Sequence, residues 1–183
     1  MKKFGVREVV ASAILAALVF VLLRFVAIPT PFPDTTLSIY AAVVAFFAVL
    51  FGPAVGFVGG FLGNLLVDLT AGWGIWWTWV VVTGLYGLFV GLGCKGIRLD
   101  DGIFGQKEFL RFSIVSIISC LVCWGVLAPI GDILIYAEPP SLVFIQGLFV
   151  GLSGLIASIV VGGILCKAYA ASRAQKGSLT KED

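Results

Sequence analysis

The sequence predicts an all-α integral membrane protein built as a compact bundle of six transmembrane helices. Hydrophobic residues make up 60% of the 183 residues and charged residues only 12%, and the mean hydropathy is +1.12. Soluble domains are closer to half apolar and a quarter charged. Several apolar segments also approach the roughly 20 residues with which a helix spans a bilayer. We therefore expect one membrane domain over residues 1–183, without a separate soluble domain.

Six apolar segments are separated by charged, proline-rich or glycine-rich stretches, and each is predicted to form a helix, because a span must satisfy its own backbone hydrogen bonds. The predicted helices cover residues 8–28, 36–51, 53–69, 76–94, 110–130 and 142–167. The first segment follows a basic start, as in a signal peptide, but it is too long and lacks a small-residue cleavage site. We expect it to remain as a helix. The second segment is short and is closed by Gly52 and Pro53.

The basic residues predict the orientation of the bundle. In a six-helix topology, every lysine and arginine except Arg24 lies on the side of the two termini. These residues are Lys2, Lys3, Arg7, Lys95, Arg98, Lys107, Arg111, Lys167, Arg173, Lys176 and Lys181. The positive-inside rule makes that side, and both termini, cytoplasmic. The outer loops, 29–36, 70–75 and 131–141, contain no lysine or arginine, and they are rich in proline, glycine and tryptophan.

The main candidate for a functional site lies at the end of the third segment. Asn64 and Asp68 are four residues apart and share one face of the helix, near its predicted outer end. Polar side chains at membrane depth are costly, so they indicate function. Four of the five tryptophans follow between residues 73 and 79, and Trp73 and Trp77 are predicted to bind a solute together with Asn64 and Asp68. Two alternatives stay open: the indoles could form an interfacial belt, and Asp68 could cap the loop while Asn64 only packs by bonding a neighbouring helix.

Four further residues are candidates for the same site. Phe32 and Asp132 lie in outer loops, and Gln146 lies near the outer end of the sixth segment. Arg24 is roughly 25 Å along the first helix from Arg7, at about 1.5 Å per residue, and so lies near the outer interface. Arg24 could contact the solute, pair with an outer aspartate, or extend to the lipid headgroups.

Small residues recur at four-residue spacing, which lets transmembrane helices approach closely. The glycine pairs are Gly56 and Gly60, Gly59 and Gly63, Gly87 and Gly91, and Gly147 and Gly151. We assign these pairs to packing inside the bundle. Ala13 and Ala17, on the cytoplasmic half of the first helix, could pack inside the bundle or receive a partner helix.

The sequence lacks the residues that several other functions require. No GxxxxGK[ST] motif occurs, so the chain binds no nucleotide through a P-loop. A GxSG motif around Ser153 is typical of an intramembrane serine protease, but the chain has no histidine to activate that serine. Cys120 and Cys123 form a CxxC without a second pair, which indicates packing rather than a metal or redox site. We therefore expect no enzyme, no metal, no cofactor and no nucleic-acid partner.

Several of these features occur together in one family. The chain carries Ala13 and Ala17 on its first helix, IPTPFPDTTLSIY in the first outer loop, FFAVLFGPAVGFVGGFLGNLLVDL across the second and third segments, and a Trp-rich loop. Over nearly its whole length it resembles the substrate-binding S components of energy-coupling-factor (ECF) vitamin transporters. Within that superfamily it is most similar to the riboflavin-transporter-like group.

The resemblance implies a multi-pass protein of the bacterial cell membrane that binds a water-soluble vitamin or precursor at its outer face. It also implies docking of Ala13 and Ala17 on a transmembrane coupling subunit, with two cytoplasmic ATPases that bind the ATP. The tryptophans favour a flat heterocycle, such as a hydroxymethylpyrimidine, pyridoxine or a flavin. The outer loops contain or adjoin four acidic residues, which disfavour a multiply anionic cargo; these are Asp34, Asp68, Asp132 and Glu138. A self-contained secondary transporter, which would usually carry more polar midplane helices, and a non-binding assembly subunit remain as alternatives.

Overall fold

Six helices form the bundle in the computed structural model, which describes residues 5–31 and 35–179, with side chains as far as residue 174. The first four helices are α1 (Val6–Phe25), α2 (Tyr40–Phe51), α3 (Pro53–Ala71) and α4 (Trp77–Gly93). Helix α5 is the continuous Gln106–Tyr136, and α6 begins at Pro140 and ends at Leu179. Helices α1, α3, α5 and α6 are long and apolar enough to cross a membrane, and α2 and α4 are shorter apolar helices. The predicted all-α, six-helix fold is confirmed.

The second helix begins later than predicted. Thr36–Leu37 pairs antiparallel with Ile28–Pro29 as a short two-stranded hairpin, and α2 starts at Tyr40. The Ser38 hydroxyl donates to the carbonyl oxygen of Leu22 at 3.1 Å and accepts a hydrogen bond from the backbone N–H of Tyr40. Residues 36–37 therefore form part of a hairpin, although the sequence pattern predicts that they form the first turn of a helix.

The fifth helix is longer than predicted, and the segment 131–136 is helical rather than part of a loop. A π-helical segment, Cys123–Leu127, precedes Pro129 within this helix. Proline donates no backbone hydrogen bond, and the wider π-helical turns let the helix continue past it. As a consequence, Asp132 lies on the last turns of a helix instead of in a loop.

Helix α3 packs against α1 through one stripe of glycines. An added Cβ at Gly59 would lie 2.6 Å from the Leu15 side chain, and one at Gly63 would meet the Val19 side chain. The face of α1 that carries Leu15 and Val19 is therefore the inner one, and both side chains are completely buried. Ala13 and Ala17 lie on the other face of α1 and are exposed.

A second glycine stripe joins α3 to α4. A Cβ added at Gly56 would lie 2.7 Å from the Gly87 carbonyl oxygen, and one added at Gly60 would lie 2.9 Å from the Thr83 carbonyl oxygen. The two backbones therefore touch directly, as close helix packing in a membrane requires. The predicted role of these glycines in internal packing is confirmed by the contacts.

Substitution of Gly87 by alanine should destabilise the bundle, because the new methyl group would overlap the backbone of Gly56. Overpacking of this kind costs about 1–3 kcal/mol. We expect a lower Tm for Gly87→Ala in thermal unfolding of the detergent-solubilised protein. Gly125→Ala is the matched control, because no described atom lies within 4 Å of its added Cβ. Equal Tm values for the two variants would contradict the packing described.

A buried aromatic cluster lies in the middle of the bundle. The Tyr86 hydroxyl of α4 lies 2.6 Å from the Ser158 hydroxyl of α6, and the Tyr86 ring centroid lies 4.9 Å from that of Trp124 in α5. Trp124 also meets Tyr40 edge to face, at 6.1 Å between centroids. Ser158 and Trp124 each belong to a π-helical segment, so Tyr86 connects α4 to both irregular regions.

The start of α1 and the later turns of α6 lie at the same end of the bundle, which we call the basic end. The Asp100 carboxylate, between α4 and α5, pairs with Arg7 at 3.2 Å and Arg173 at 3.7 Å and accepts a 2.7 Å hydrogen bond from Tyr169. Partial burial acts to raise the pKa of Asp100, but these hydrogen bonds and guanidinium charges outweigh it and lower the pKa. The cytoplasmic location of the basic end stays a prediction.

Candidate solute-binding cavity

A cavity of about 180 Å³ lies at the opposite end of the bundle, which we call the cavity end. Every one of the six helices contributes to it, together with the hairpin and the tryptophan-rich loop. Its lining consists of Leu23, Thr35, Thr36, Tyr40, Asn64, Val67, Asp68, Trp73, Trp76, Trp79, Asp132, Glu138, Leu142, Gln146 and Val150. The walls are thus aromatic and aliphatic, with polar groups at a few positions, as is usual for small-molecule sites.

The last turns of α3 supply an amide and a carboxylate to the cavity. Asn64 and Asp68 are 8% and 6% exposed, and both line the cavity. The Asn64 Nδ2 donates to the Thr83 hydroxyl of α4 at 2.7 Å. Asn64 therefore also connects two helices, as the packing alternative requires, and its side chain is held in one orientation toward the cavity.

Asp68 organises the loop that follows α3. One carboxylate oxygen accepts from the Trp73 indole N–H at 3.2 Å, and the other accepts from the Trp76 backbone N–H at 2.9 Å. The loop turns with positive φ at Gly72 and Gly74, a conformation that glycine adopts without a Cβ clash. Asp68 thus caps the loop and lines the cavity at once, so the two roles considered for it from the sequence are compatible.

Asp132 plays a similar part on α5. It is only 1% exposed, accepts a hydrogen bond from the Thr78 hydroxyl, and accepts another from the Trp79 indole N–H at 2.7 Å. Tyr136, one turn later, accepts from the Trp77 backbone N–H at 2.8 Å. The end of α5 therefore fixes the start of α4 through its side chains, which gives the cavity a preformed wall.

The structure brings most of the predicted site residues together but not all. Asn64, Asp68, Trp73, Asp132 and Gln146 line the cavity. Trp77 is 48% exposed and is not part of the lining. Arg24 is exposed and also lies outside the lining, whereas the preceding residue of α1, Leu23, contributes to it. Phe32 lies outside the described residues.

Trp76 and Trp79 line the cavity in place of Trp77. Trp76 precedes α4, and Asp68 accepts a hydrogen bond from its backbone N–H. Trp79 and Thr83 are four residues apart and share one face of α4, whereas Trp77, two residues before Trp79, is turned away by roughly 160°. This spacing is visible in the sequence. The sequence does not show which face of an apolar helix points inward, because lipid and core are equally apolar.

The cavity can hold a flat solute between aromatic rings and polar acceptors. The Trp76 and Tyr136 rings lie 4.6 Å apart between centroids, so Tyr136 packs against Trp76 at the cavity wall. Among the described residues, no group of three or more histidine, cysteine, aspartate or glutamate side chains is arranged to hold a metal ion. The polar groups are suited to hydrogen bonding rather than to bond making or breaking.

These features define a membrane-embedded helix bundle with a solute-sized cavity at one end. The family model described as "ECF-type riboflavin transporter, S component" matches residues 3–171. The chain belongs to this family of ECF S components, the substrate-binding subunits of vitamin transporters, and is not an enzyme.

The chain is also similar to curated relatives and, in fold, to one solved structure. The chain is 47% identical over 182 residues to a UPF0397 protein of Lactococcus lactis subsp. cremoris strain NZ9000, covering 100% of both. It is 46% identical over 179 residues to one from Lactobacillus acidophilus, covering 98% of this chain and 97% of the relative. A Streptococcus pneumoniae UPF0397 protein is 41% identical over 180 residues, covering 98% of each. The structure of ThiT from Listeria monocytogenes superposes with a TM-score of 0.61 over 92% of this chain and 96% of that one. Its 14% identity supports the fold alone.

Proposed function

We propose that the cavity captures a water-soluble vitamin or vitamin precursor with a flat heterocyclic ring. The observation that carries the proposal is the cavity itself: Trp73, Trp76 and Trp79 supply aromatic surface beside the carboxylates of Asp68 and Asp132. Indole faces favour planar partners, and the fixed acceptors give orientation. The family assignment supplies the general role of substrate binding.

The size of the cavity favours a single ring over a flavin. An engineered protein cavity of about 150 Å³ holds benzene, and the volume here is about 180 Å³. A hydroxymethylpyrimidine or pyridoxine fits this scale, whereas a three-ring flavin would require the loops to move apart.

Delivery of the cargo to the cytoplasm is proposed to need partners. The described residues form a single bundle with its cavity at one end, and a transmembrane coupling subunit with two ATPases would supply the driving force, with ATP bound by those partners and no cofactor in this chain. Ala13 and Ala17 are exposed on the face of α1 that points away from α3, where small side chains permit the close approach of a partner helix. We propose this stripe as the docking surface.

Titration of the purified chain in detergent, without ATP, tests the capture of solute. The indoles that line the cavity should report binding as saturable quenching of tryptophan fluorescence by one member of a panel of vitamins and precursors. Calorimetry on the same sample controls for absorption by the added compound. A panel without a single saturable response would count against the proposal.

A further inference from the structure

The carboxylates of the cavity are not neutralised by any described basic residue. Asp68, Asp132 and Glu138 line the cavity, and within residues 5–31 and 35–174 no lysine or arginine does. The ion pairs found in this part of the chain, those of Asp100 and Asp101, all lie at the basic end. The lining of the cavity is therefore negative and contains no counter-charge among the described residues. Arg24, which follows Leu23 in the last turn of α1, is exposed and lies outside the lining.

The partners of the two aspartates are neutral. Asp68 accepts from an indole and a backbone N–H, and Asp132 accepts from a hydroxyl and an indole. A carboxylate has about four acceptor positions, so each keeps the capacity to accept from a ligand. Glu138 has no hydrogen-bond or ion-pair partner for its carboxylate among the residues described.

Charge in a poorly solvated site needs a partner of opposite sign. Burying an ionised group without such a partner is costly, and a solute that enters the cavity displaces the water that solvates these groups. A cargo with a positive charge removes this cost and gains charge-assisted hydrogen bonds, while an anionic cargo increases it.

We propose that the cargo is a single-ring heterocycle that carries a positive charge, as a protonated amine, an amidinium group or a quaternary ring nitrogen. Asp68 and Asp132 would fix the ring between the indoles, and Glu138 would contact the charge from the loop before α6. This inference rests on the proposed function and adds the charge class of the cargo, with Glu138 as a specificity-determining residue.

A matched set of ring compounds tests the charge directly. Benzamidine, benzamide and benzoate have nearly the same shape and carry charges of about +1, 0 and −1 at neutral pH, since amidines and carboxylic acids are both ionised there. We expect the purified chain in detergent to bind benzamidine at least about tenfold more tightly than benzamide, with weaker binding of benzoate, since one hydrogen bond between charged groups contributes at least that factor. Quenching of tryptophan fluorescence measures all three.

Two variants assign the effect to the cavity. Glu138→Gln should weaken benzamidine binding by about twofold to fivefold and leave benzamide unchanged, by loss of one charged contact near solvent. Asp101→Asn, which removes a carboxylate at the basic end, should leave both unchanged. An unchanged benzamidine affinity in Glu138→Gln would overturn the role given to Glu138.

The outcomes separate this inference from the proposed function. Benzamide or benzoate binding as tightly as benzamidine, or no binding of any of the three at their highest soluble concentrations, would overturn the cationic cargo. A neutral or anionic vitamin bound by the wild-type chain would also overturn it, while leaving the capture of a vitamin intact. If the chain clearly prefers benzamidine but binds no vitamin or precursor of the panel, the result would support a cation-binding site and contradict the proposed capture of a vitamin.

Discussion

Replacement of Ala13 or Ala17 by tryptophan is expected to reduce uptake strongly while leaving solute binding unchanged. Both alanines are exposed on the face of α1 that points away from α3, and they lie far from the cavity lining, which α1 reaches only at Leu23. A large indole on this stripe would hold a partner helix away, because close packing in membranes depends on small side chains. Uptake should fall at least about tenfold, which corresponds to about 1.4 kcal/mol of lost docking free energy.

The measurement combines radiolabelled uptake in cells that contain the transport partners with calorimetric titration of the purified variants. Ile118→Trp is the matched control, because Ile118 is 57% exposed on α5 and the substitution adds the same group elsewhere on the bundle. Normal uptake by Ala13→Trp, or loss of binding together with uptake, would show that the stripe has a different role.

Substitution of Asp132 or Asp68 by asparagine is expected to weaken solute binding by roughly 10- to 150-fold. Each carboxylate lines the cavity and also fixes an indole of its wall. A hydrogen bond to a charged group contributes about 1.5–3 kcal/mol, and tenfold in Kd corresponds to about 1.4 kcal/mol. Asparagine keeps the size of the side chain, so the fold should survive the change.

Calorimetry with the solute identified from the panel checks this expectation. Asp101→Asn serves as the control, because it removes a carboxylate from the exposed ion pair with Arg98 at the basic end. Unchanged affinity in both Asp132→Asn and Asp68→Asn would place the binding site elsewhere in the molecule.

The number and order of the helices could be predicted because long apolar segments have few other stable structures in a membrane. The start of α1 and the bounds of α3 and α4 differ from the predicted ones by only about two residues. Hairpin formation before Tyr40 and the continuation of α5 past Pro129 were not predictable from hydropathy. Both depend on tertiary contacts or on a π-helical segment, which no composition pattern marks.

The position of the candidate site could be predicted from the sequence, but the residues that line it could be predicted only in part. Asn64 and Asp68 stand out because they are polar residues in an apolar segment, and both line the cavity. Tyr40 and Val150 do not stand out, since apolar and aromatic side chains occur on every face of these helices. Trp77 is predicted in place of Trp76 because the sequence gives neither the residue at which α4 begins nor the rotation of that helix.

Titration of the isolated wild-type chain with vitamins and precursors is the decisive measurement of solute capture in the cavity, because it requires no partner and no ATP. We expect one saturable response with one molecule bound per chain, greatly weakened in Asp132→Asn and unchanged in Asp101→Asn. Equal binding by the wild-type chain and Asp132→Asn, or binding only after the transport partners and ATP are added, would contradict solute capture in this cavity.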